Sequence, residues 1–311
     1  MDLVSLFKRA DENHGCTKDT CPASESVYGY APSLGASAFF TAFFFLSGIA
    51  YIFQGFRYRR WWGFASAMAL GTVLEGVGYI SRIILHNDPF SDVGFKLNVV
   101  LLTFAPAFLS AGIYLLLKQL TITFSPALSR LRPAWYTYIF ITCDLVSIVL
   151  QGAGGALSAA AETKSALDNG EHIMVAGLVL QVFTLAVFGY LVAEYGVRVT
   201  KHRDQLNAGA WDRVRSWRFR LFLVSIVVAY LAIMTRCSYR VAELSGGWRN
   251  PIMRKEGEFI GLDSVMCALA ALMFNIFHPG ACFHRPQVPS TRSEADVEIQ
   301  TKTSQDDLPS L

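Results

Sequence analysis

The chain has 311 residues, of which 53% are hydrophobic and only 16% are charged. This composition is far too apolar for a water-soluble domain of that size, and it indicates an all-α, polytopic membrane protein. The formal net charge of +3 is too small to suggest a nucleic-acid partner, so no nucleic acid is expected to bind.

The first 30 residues form a polar N-terminal segment that lacks the apolar core and cleavage site of a secretory signal. This segment contains Cys16 and Cys21, which fall in a loop-like stretch of the chain. If the segment lies outside the cytosol, Cys16 and Cys21 can form a disulfide, because disulfides persist in oxidising compartments. The alternative is a pair of free thiols in a loose tail.

Seven apolar windows follow, each close to the roughly 20 residues that a helix needs to cross the hydrocarbon core. Open strands are excluded, because lipid offers no water to satisfy an exposed strand edge. The seven predicted helices cover residues 34–55, 61–85, 95–117, 134–157, 172–197, 219–243 and 258–278. We therefore expect a seven-helix bundle as a single domain over residues 31–284, followed by a disordered acidic cytosolic tail over residues 285–311.

Tryptophan and basic residues predict how the bundle sits in the membrane. Trp61, Trp62 and Trp135 occur where predicted helices begin, as expected for anchors at the membrane surface. The first, third and fifth connections between helices hold far more Lys and Arg than the second, fourth and sixth. Because cytosolic connections carry that excess, the N-terminus is predicted outside and the C-terminus in the cytosol. This orientation favours the disulfide between Cys16 and Cys21.

Ionisable side chains occur in the interior of several predicted helices, although burying one costs about 2.5 to 3.5 kcal/mol on insertion scales. Positions i, i+4 and i+7 share one face of an α-helix, and two helices place polar groups at that spacing. The residues concerned are Glu75, Tyr79 and Arg82 in the second helix, and Arg236, Arg240 and Glu243 in the sixth. Each of the two helices therefore presents a polar face.

Further polar groups lie on the fourth, fifth and seventh predicted helices, namely Asp144, Gln151, Gln181, Glu258 and Asp263. With the predicted orientation, all these groups lie between the membrane midplane and the outer leaflet. One interpretation is that they form interhelical ion pairs and hydrogen bonds that fix the packing. The other, favoured by their common depth, is that they line a polar cavity or pathway. Acidic groups outnumber basic ones, so a cationic or zwitterionic ligand fits this set.

The sequence lacks the patterns of known enzyme classes. No two of its six His residues are three or four positions apart, and no HExxH, G-x-S-x-G or phosphate-binding loop is present. We therefore expect neither an enzyme, nor a cofactor or metal site, nor an ATP-driven pump.

Short motifs occur in a fixed order between residues 28 and 281. They are YGYAPS at 28–33, EGVGYISR at 75–82, APAFLSAGIY at 105–114, DLVSIVLQGAGG at 144–155, GLVLQ at 177–181, RCSYRVAELSGG at 236–247, GEFIGLD at 257–263 and HPG at 278–280. The ordered set resembles the fungal aminocholesterol-resistance family, also called lipid-translocating exporters, whose members span the membrane seven times. The resemblance places the polar positions of that family on Glu75, Arg82, Asp144, Gln151, Gln181, Arg236, Arg240, Glu243, Glu258 and Asp263.

The resemblance implies a transporter or translocator of amphipathic molecules, above all lipids such as sphingoid long-chain bases, which can confer resistance to toxic lipids or drugs. The polar positions above, together with Tyr79, are then the predicted substrate-binding residues. The expected partners are a lipid or amphipathic small molecule and the lipids of the bilayer, and the expected location is the plasma membrane. The competing hypothesis is a seven-helix lipid-sensing receptor or stress sensor, because receptors share this topology.

Overall fold

A computed structural model describes residues 21–161, 163–207, 210–247 and 250–283. Seven helices are long and apolar enough to cross a membrane, which confirms the predicted all-α, seven-span architecture. They are α1 (Leu34–Arg57), α2 (Trp62–Asn87), α3 (Asp92–Phe124), α4 (Pro133–Ala159), α5 (Lys164–Lys201), α6 (Trp217–Ser245) and α7 (Glu256–Phe283). No strand occurs within these described ranges.

Every helix extends beyond the apolar window that predicted it at one end or at both. The clearest case is α5, which begins at Lys164 rather than at residue 172 and has 38 residues. Its N-cap, Thr163, accepts a hydrogen bond from the Ala166 N–H at 3.3 Å. A helix of this length spans roughly 57 Å, whereas the hydrocarbon core is about 30 Å thick.

The seven helices pack as a ring in chain order. Each contacts the next, α7 returns to pack against α1, and α3 contacts α6 across the middle. α2 and α3 are the most enclosed, with 61% of their apolar windows buried, whereas α4 is the least enclosed, with 28% buried. Large exposed side chains such as Phe39, Leu46 and Phe53 give α1 its lipid-facing surface.

The tryptophans at the helix starts do not all behave as predicted. Trp62 and Trp135 are 45% and 54% exposed, as anchors at a membrane surface should be. Trp61 is only 8% exposed, and its ring contacts the ring of Phe283 with centroids 5.1 Å apart. The prediction of an anchor was wrong for Trp61, because the end of α7 folds over it.

Glycines let α4 and α5 approach closely. A Cβ atom built on Gly154 would lie 2.6 Å from the carbonyl oxygen of Gly170, and one on Gly177 would lie 2.8 Å from the carbonyl oxygen of Ser147. Real Cβ atoms essentially never come this close to a backbone atom. The two helix backbones are therefore in direct contact, as in other membrane helix pairs built on small residues.

We expect Gly154→Ala to lower the free energy of unfolding by about 1 to 3 kcal/mol, because the added methyl group collides with backbone that cannot rotate away. Gly155→Ala is the matched control, since its Cβ would find its nearest neighbour, Met174 Sδ, at 4.0 Å. Thermal unfolding of both variants in one detergent measures the difference. Equal midpoints for the two variants would contradict the close approach of α4 and α5.

The N-terminal segment folds back onto the bundle before α1 begins. Tyr28 is 5% exposed, and its hydroxyl donates a hydrogen bond to Oδ1 of Asn98 on α3 at 2.8 Å. Burial raises the pKa of Tyr28 above its ordinary value, so the hydroxyl keeps its proton as a donor. Gly29 has a φ of 73°, which glycine adopts without strain. The Ser33 N–H donates to Oε1 of Glu256 on α7 at 2.6 Å.

The cysteines divide into two groups. Cys21 is disulfide-bonded, but Cys16 lies outside the described residues, so their pairing stays a prediction. The remaining cysteines, which are free thiols, are Cys143, Cys237, Cys267 and Cys282.

The predicted tail at 285–311 also lies outside the described residues.

Candidate functional site

Arg236 on α6 is the centre of the candidate site and has no solvent exposure. Its guanidinium group lies 3.0 Å from Oε1 of Glu75 on α2 and 3.1 Å from Oδ1 of Asp263 on α7. It also donates a hydrogen bond to the carbonyl oxygen of Leu102 on α3 at 2.5 Å. A single side chain therefore connects four helices inside the bundle.

Arg240, one turn further along α6, shares the Asp263 carboxylate with Arg236. Its Nε lies 2.8 Å from Oδ1 of Asp263, and its Nη1 donates to Oε2 of Glu243 at 2.7 Å. Both carboxylates are buried. We refer to Glu75, Arg236, Arg240, Glu243 and Asp263 as the ion network. The pairs of Arg236 with Glu75 and Asp263, and of Arg240 with Asp263, agree with the predicted interhelical ion pairs, whereas Arg240 and Glu243 pair within α6. A cavity between these residues stays a prediction.

The local structure of α7 explains how two consecutive polar residues both face inward. Residues of a regular α-helix point about 100° apart, so neighbours in sequence diverge. Ile260–Ser264 instead form a π-helical turn, which holds one extra residue. Asp263 and Ser264 are both fully buried there, and the Ser264 hydroxyl bonds to the hydroxyl of Tyr79 on α2 at 2.5 Å. The polar face predicted for α2 thus meets this turn.

Arg82 lies next to the ion network, beneath the N-terminal segment, and is 1% exposed. Its guanidinium group stacks over the Phe259 ring at 4.1 Å. It also donates to the Tyr30 hydroxyl at 3.3 Å and lies 3.5 Å from Oε1 of Glu256. Arg240 is 5.2 Å from the same Phe259 ring. Phe259 therefore contacts both guanidinium groups and joins Arg82 to the network.

The buried ionisable groups of the described spans carry a surplus of negative charge. The carboxylates are Glu75, Asp144, Glu243 and Asp263, and the guanidinium groups are Arg82, Arg236 and Arg240. Glu256 adds a further carboxylate, but its side chain is 26% exposed. An unpaired charge is very costly in a medium of low dielectric constant. The buried set therefore carries one net negative charge, or two when Glu256, the ion-pair partner of Arg82, is counted with it. Protons or bound cations would supply the balance.

Asp144 on α4 is the buried carboxylate that contacts no guanidinium group among the described residues. It is 3% exposed, and its Oδ2 accepts a hydrogen bond from the Tyr114 hydroxyl on α3 at 3.0 Å. Its Oδ1 has no hydrogen-bond partner in this part of the chain. The Tyr114 ring in turn contacts Phe140 and Phe188, with centroids 5.5 and 4.6 Å away. The ion network itself holds three carboxylates and two guanidinium groups, so the surplus is not confined to Asp144. Asp144 is nevertheless the buried carboxylate without a guanidinium contact, and it lies at an aromatic and poorly solvated site.

The family model described as RTA1 like protein matches residues 68–286, which is more than half of the chain. The chain belongs to the RTA1-like family. The matched residues include the whole ion network, Arg82 and Asp144. The predicted family resemblance is therefore confirmed.

Named relatives of this RTA1-like protein occur in fungi. The sphingoid long-chain base transporter RSB1 of Saccharomyces cerevisiae is 32% identical over 281 residues, covering 79% of this chain and 72% of the relative. Protein RTA1 of the same organism is 25% identical, covering 81% and 84%. The lipid-translocating exporter-like protein RTA1 of Leptosphaeria maculans is 26% identical, covering 83% and 52%. No solved structure gives a significant match to the chain.

Besides Asp144, three predicted residues of this RTA1-like protein lie apart from the ion network and from Arg82. Nε2 of Gln151 on α4 donates to Oε1 of Gln181 on α5 at 3.1 Å, so these two form a separate buried pair. Glu258 is 42% exposed in its side chain and pairs with Lys255 at 2.7 Å. On α7, the residues that contact the arginines of the site are instead Asp263 and Phe259. Binding of a substrate by any of the predicted residues stays a prediction.

Sequence reasoning missed several side chains that complete the sites of this RTA1-like protein. They are Tyr28, Tyr30, Asn98, Tyr114, Glu256, Phe259 and Ser264. Most are uncharged and common in membrane proteins, so they give no signal of costly burial. A signal did exist on α7, where Glu256, Phe259 and Asp263 stand at i, i+3 and i+7 and so share a face.

Proposed function

We propose that this RTA1-like protein translocates an amphipathic lipid across the membrane, with sphingoid long-chain bases as the substrate class. The observation that carries the proposal is the buried carboxylate of Asp144, which contacts no guanidinium group among the described residues, because the protonated amine of such a base would pair with it. The names of two relatives, a sphingoid long-chain base transporter and a lipid-translocating exporter-like protein, support the same class.

In this proposal Asp144 binds the amine while the hydrocarbon tail stays in the lipid. α4 is the least enclosed helix, and Leu145 and Val149 on it are 58% and 62% exposed. A tail that lies along this apolar surface keeps its contact with the bilayer throughout. The head group alone then enters the aromatic site around Tyr114, so only a small polar group has to be desolvated.

The residues of the ion network can form alternative ion pairs. Asp263 lies within reach of both Arg236 and Arg240, while Glu75 and Glu243 each hold one of these arginines. A shift of α7 relative to α6 can therefore exchange one ion pair for another without leaving a charge unpaired. Packed interfaces with two such arrangements are the usual basis of conformational switching. We propose that this exchange of ion pairs opens the Asp144 site first to one leaflet of the bilayer and then to the other.

Orientation and location complete the proposal. We place the N-terminus outside and the C-terminus in the cytosol, because the odd connections carry the excess of Lys and Arg. The plasma membrane is the proposed location, since removal of a toxic lipid from a cell ends there. No catalytic step is needed, and the relatives are named as a transporter and an exporter-like protein.

A flux measurement on the purified full-length protein tests the proposal. Liposomes containing the protein are loaded with a fluorescent sphingoid base, and its movement between leaflets is timed. We expect movement at least about tenfold faster than in protein-free vesicles for the base, but not for its N-acetylated analogue, because the amide cannot supply the charge that Asp144 lacks.

Two outcomes would contradict the proposal. Equal acceleration of the base and the N-acetylated analogue would show that the amine is not recognised. Saturable binding of the base without any flux would instead support the lipid-sensing receptor.

A further inference from the structure

A second polar region lies at the end of the bundle opposite the N-terminal segment, where α1 joins α2. A cavity of about 380 Å³ opens there between this connection, α3 and the end of α7. That volume is within the usual range for small-molecule sites, roughly 300 to 1,000 Å³. Its charged lining is entirely basic and consists of Arg57, Arg59 and Arg60.

These three arginines have no carboxylate partner among the described residues. The neighbouring ion pairs use other arginines, with Arg130 and Arg198 both held by Glu194, at 2.7 and 2.6 Å. Arg57 instead lies over the ring of Tyr58 at 5.3 Å. All three side chains are exposed, so water and salt weaken their mutual repulsion, and an anion bound between them would remove what is left. Guanidinium groups bind phosphate through paired, charge-assisted hydrogen bonds, so a phosphate group fits this lining best.

Aromatic side chains give the basic edge a rigid support. Trp61 contacts Phe283 at 5.1 Å, and the Tyr58 ring stacks on His278 at 5.3 Å with an interplanar angle of 20°. Tyr58 also fills the space beside Gly280, where no Cβ atom would fit. The arginines are therefore carried by a turn whose position is fixed by its packing against α7.

Exposed aromatic side chains place the cavity at the level of the lipid head groups. Phe56 and Trp62 are 65% and 45% exposed, and their rings contact each other at 4.8 Å beside the basic edge. Aromatic residues of this kind collect at the boundary between hydrocarbon and water. A ligand whose phosphate reaches Arg59 and Arg60 can therefore extend an apolar chain past Trp62 into the bilayer.

We propose that this cavity binds the phosphate head group of an anionic membrane lipid. Arg57, Arg59 and Arg60 contact the phosphate, and the acyl chains leave along Phe56 and Trp62. This site prefers the opposite charge from the Asp144 site and is lined by different residues, so it goes beyond the proposed transport of a sphingoid base. It stands or falls independently of that function.

A binding measurement on the full-length protein in phosphatidylcholine nanodiscs tests this site, with dioctanoyl phosphatidic acid as the probe. We expect saturable binding that weakens at least about tenfold, equivalent to about 1.4 kcal/mol, in the double variant Arg59→Gln with Arg60→Gln. The matched control is Lys201→Gln with Arg215→Gln, which removes two exposed charges from the connection between α5 and α6. This control is expected to keep its affinity within about twofold, because neither Lys201 nor Arg215 lines the cavity.

Several results would overturn the proposal. An equal loss in the control pair would show general surface attraction instead of a site. Displacement of the probe by inorganic phosphate at the same concentration would assign the cavity to a free anion, and equal binding of dioctanoyl phosphatidylcholine would exclude recognition of the anionic head group. If the double variant does not fold, these two competition measurements on the unchanged protein still decide. Sphingoid-base flux measured in parallel separates failure of this site from failure of the transport function.

Discussion

Arg236→Met is expected to lower the free energy of unfolding by about 3 to 5 kcal/mol, because removing one partner leaves buried charge without compensation. The wild-type guanidinium group lies against Glu75 and Asp263 with no solvent exposure on any of the three side chains. Methionine has a similar length and leaves little empty space, so the loss reports mainly on charge. Thermal unfolding in detergent, followed by size-exclusion chromatography, measures it.

Two companion variants separate the ion network from a general arginine effect. Arg130→Gln is the control, since the Arg130 side chain is 55% exposed and surface ion pairs contribute about 0 to 1 kcal/mol. Adding Glu75→Gln to Arg236→Met is expected to recover part of the lost stability, because Glu75 is the carboxylate left without a guanidinium partner, whereas Asp263 keeps its ion pair with Arg240. An Arg236→Met protein as stable as Arg130→Gln would disprove the central position of Arg236.

The sequence was most informative where burial is costly. Arg236 and Asp263 could be singled out because an ionisable side chain inside an apolar window needs a reason, and the reason proved to be their direct contact. The helical spacing that grouped Glu75 with Tyr79 also held, since Tyr79 meets Ser264 on the helix that carries Asp263. The fold class and these candidate residues could be predicted from the sequence, because they depend on the local pattern of apolar residues and on the cost of desolvating a charged side chain.

What could not be predicted depends on tertiary neighbours. The sequence does not show that Asp144 lacks a guanidinium partner on another helix, whereas Asp263 has two, Arg236 and Arg240. Trp61 resembles its neighbour Trp62 in sequence, yet the end of α7 covers only one of them. Which side chains pair depends on how the helices are rotated relative to each other, and a single amino-acid sequence gives little information on that rotation.

Asp144→Asn is expected to slow the flux of a sphingoid base by about 10- to 100-fold, the effect of losing a hydrogen bond to a charged group of about 1.5 to 3 kcal/mol. The change keeps the shape of the side chain, and its amide oxygen can still accept the Tyr114 hydroxyl hydrogen bond. The folded protein is expected to be at least as stable as the wild type, because a buried carboxylate without a basic partner becomes neutral. Thermal unfolding and liposome flux on one preparation measure both quantities.

Glu258→Gln is the matched control, because it makes the same acid-to-amide change in a side chain that is 42% exposed and pairs only with Lys255 among the described residues. Its flux is expected to stay within about twofold of the wild type, since surface ion pairs contribute little. Full flux in Asp144→Asn would remove the charge argument for amine recognition, even if the lipid were still translocated. Equal losses in both variants would point to the overall charge of the protein. A loss confined to Asp144→Asn, and seen for the charged base only, would locate amine recognition at the carboxylate that contacts no arginine.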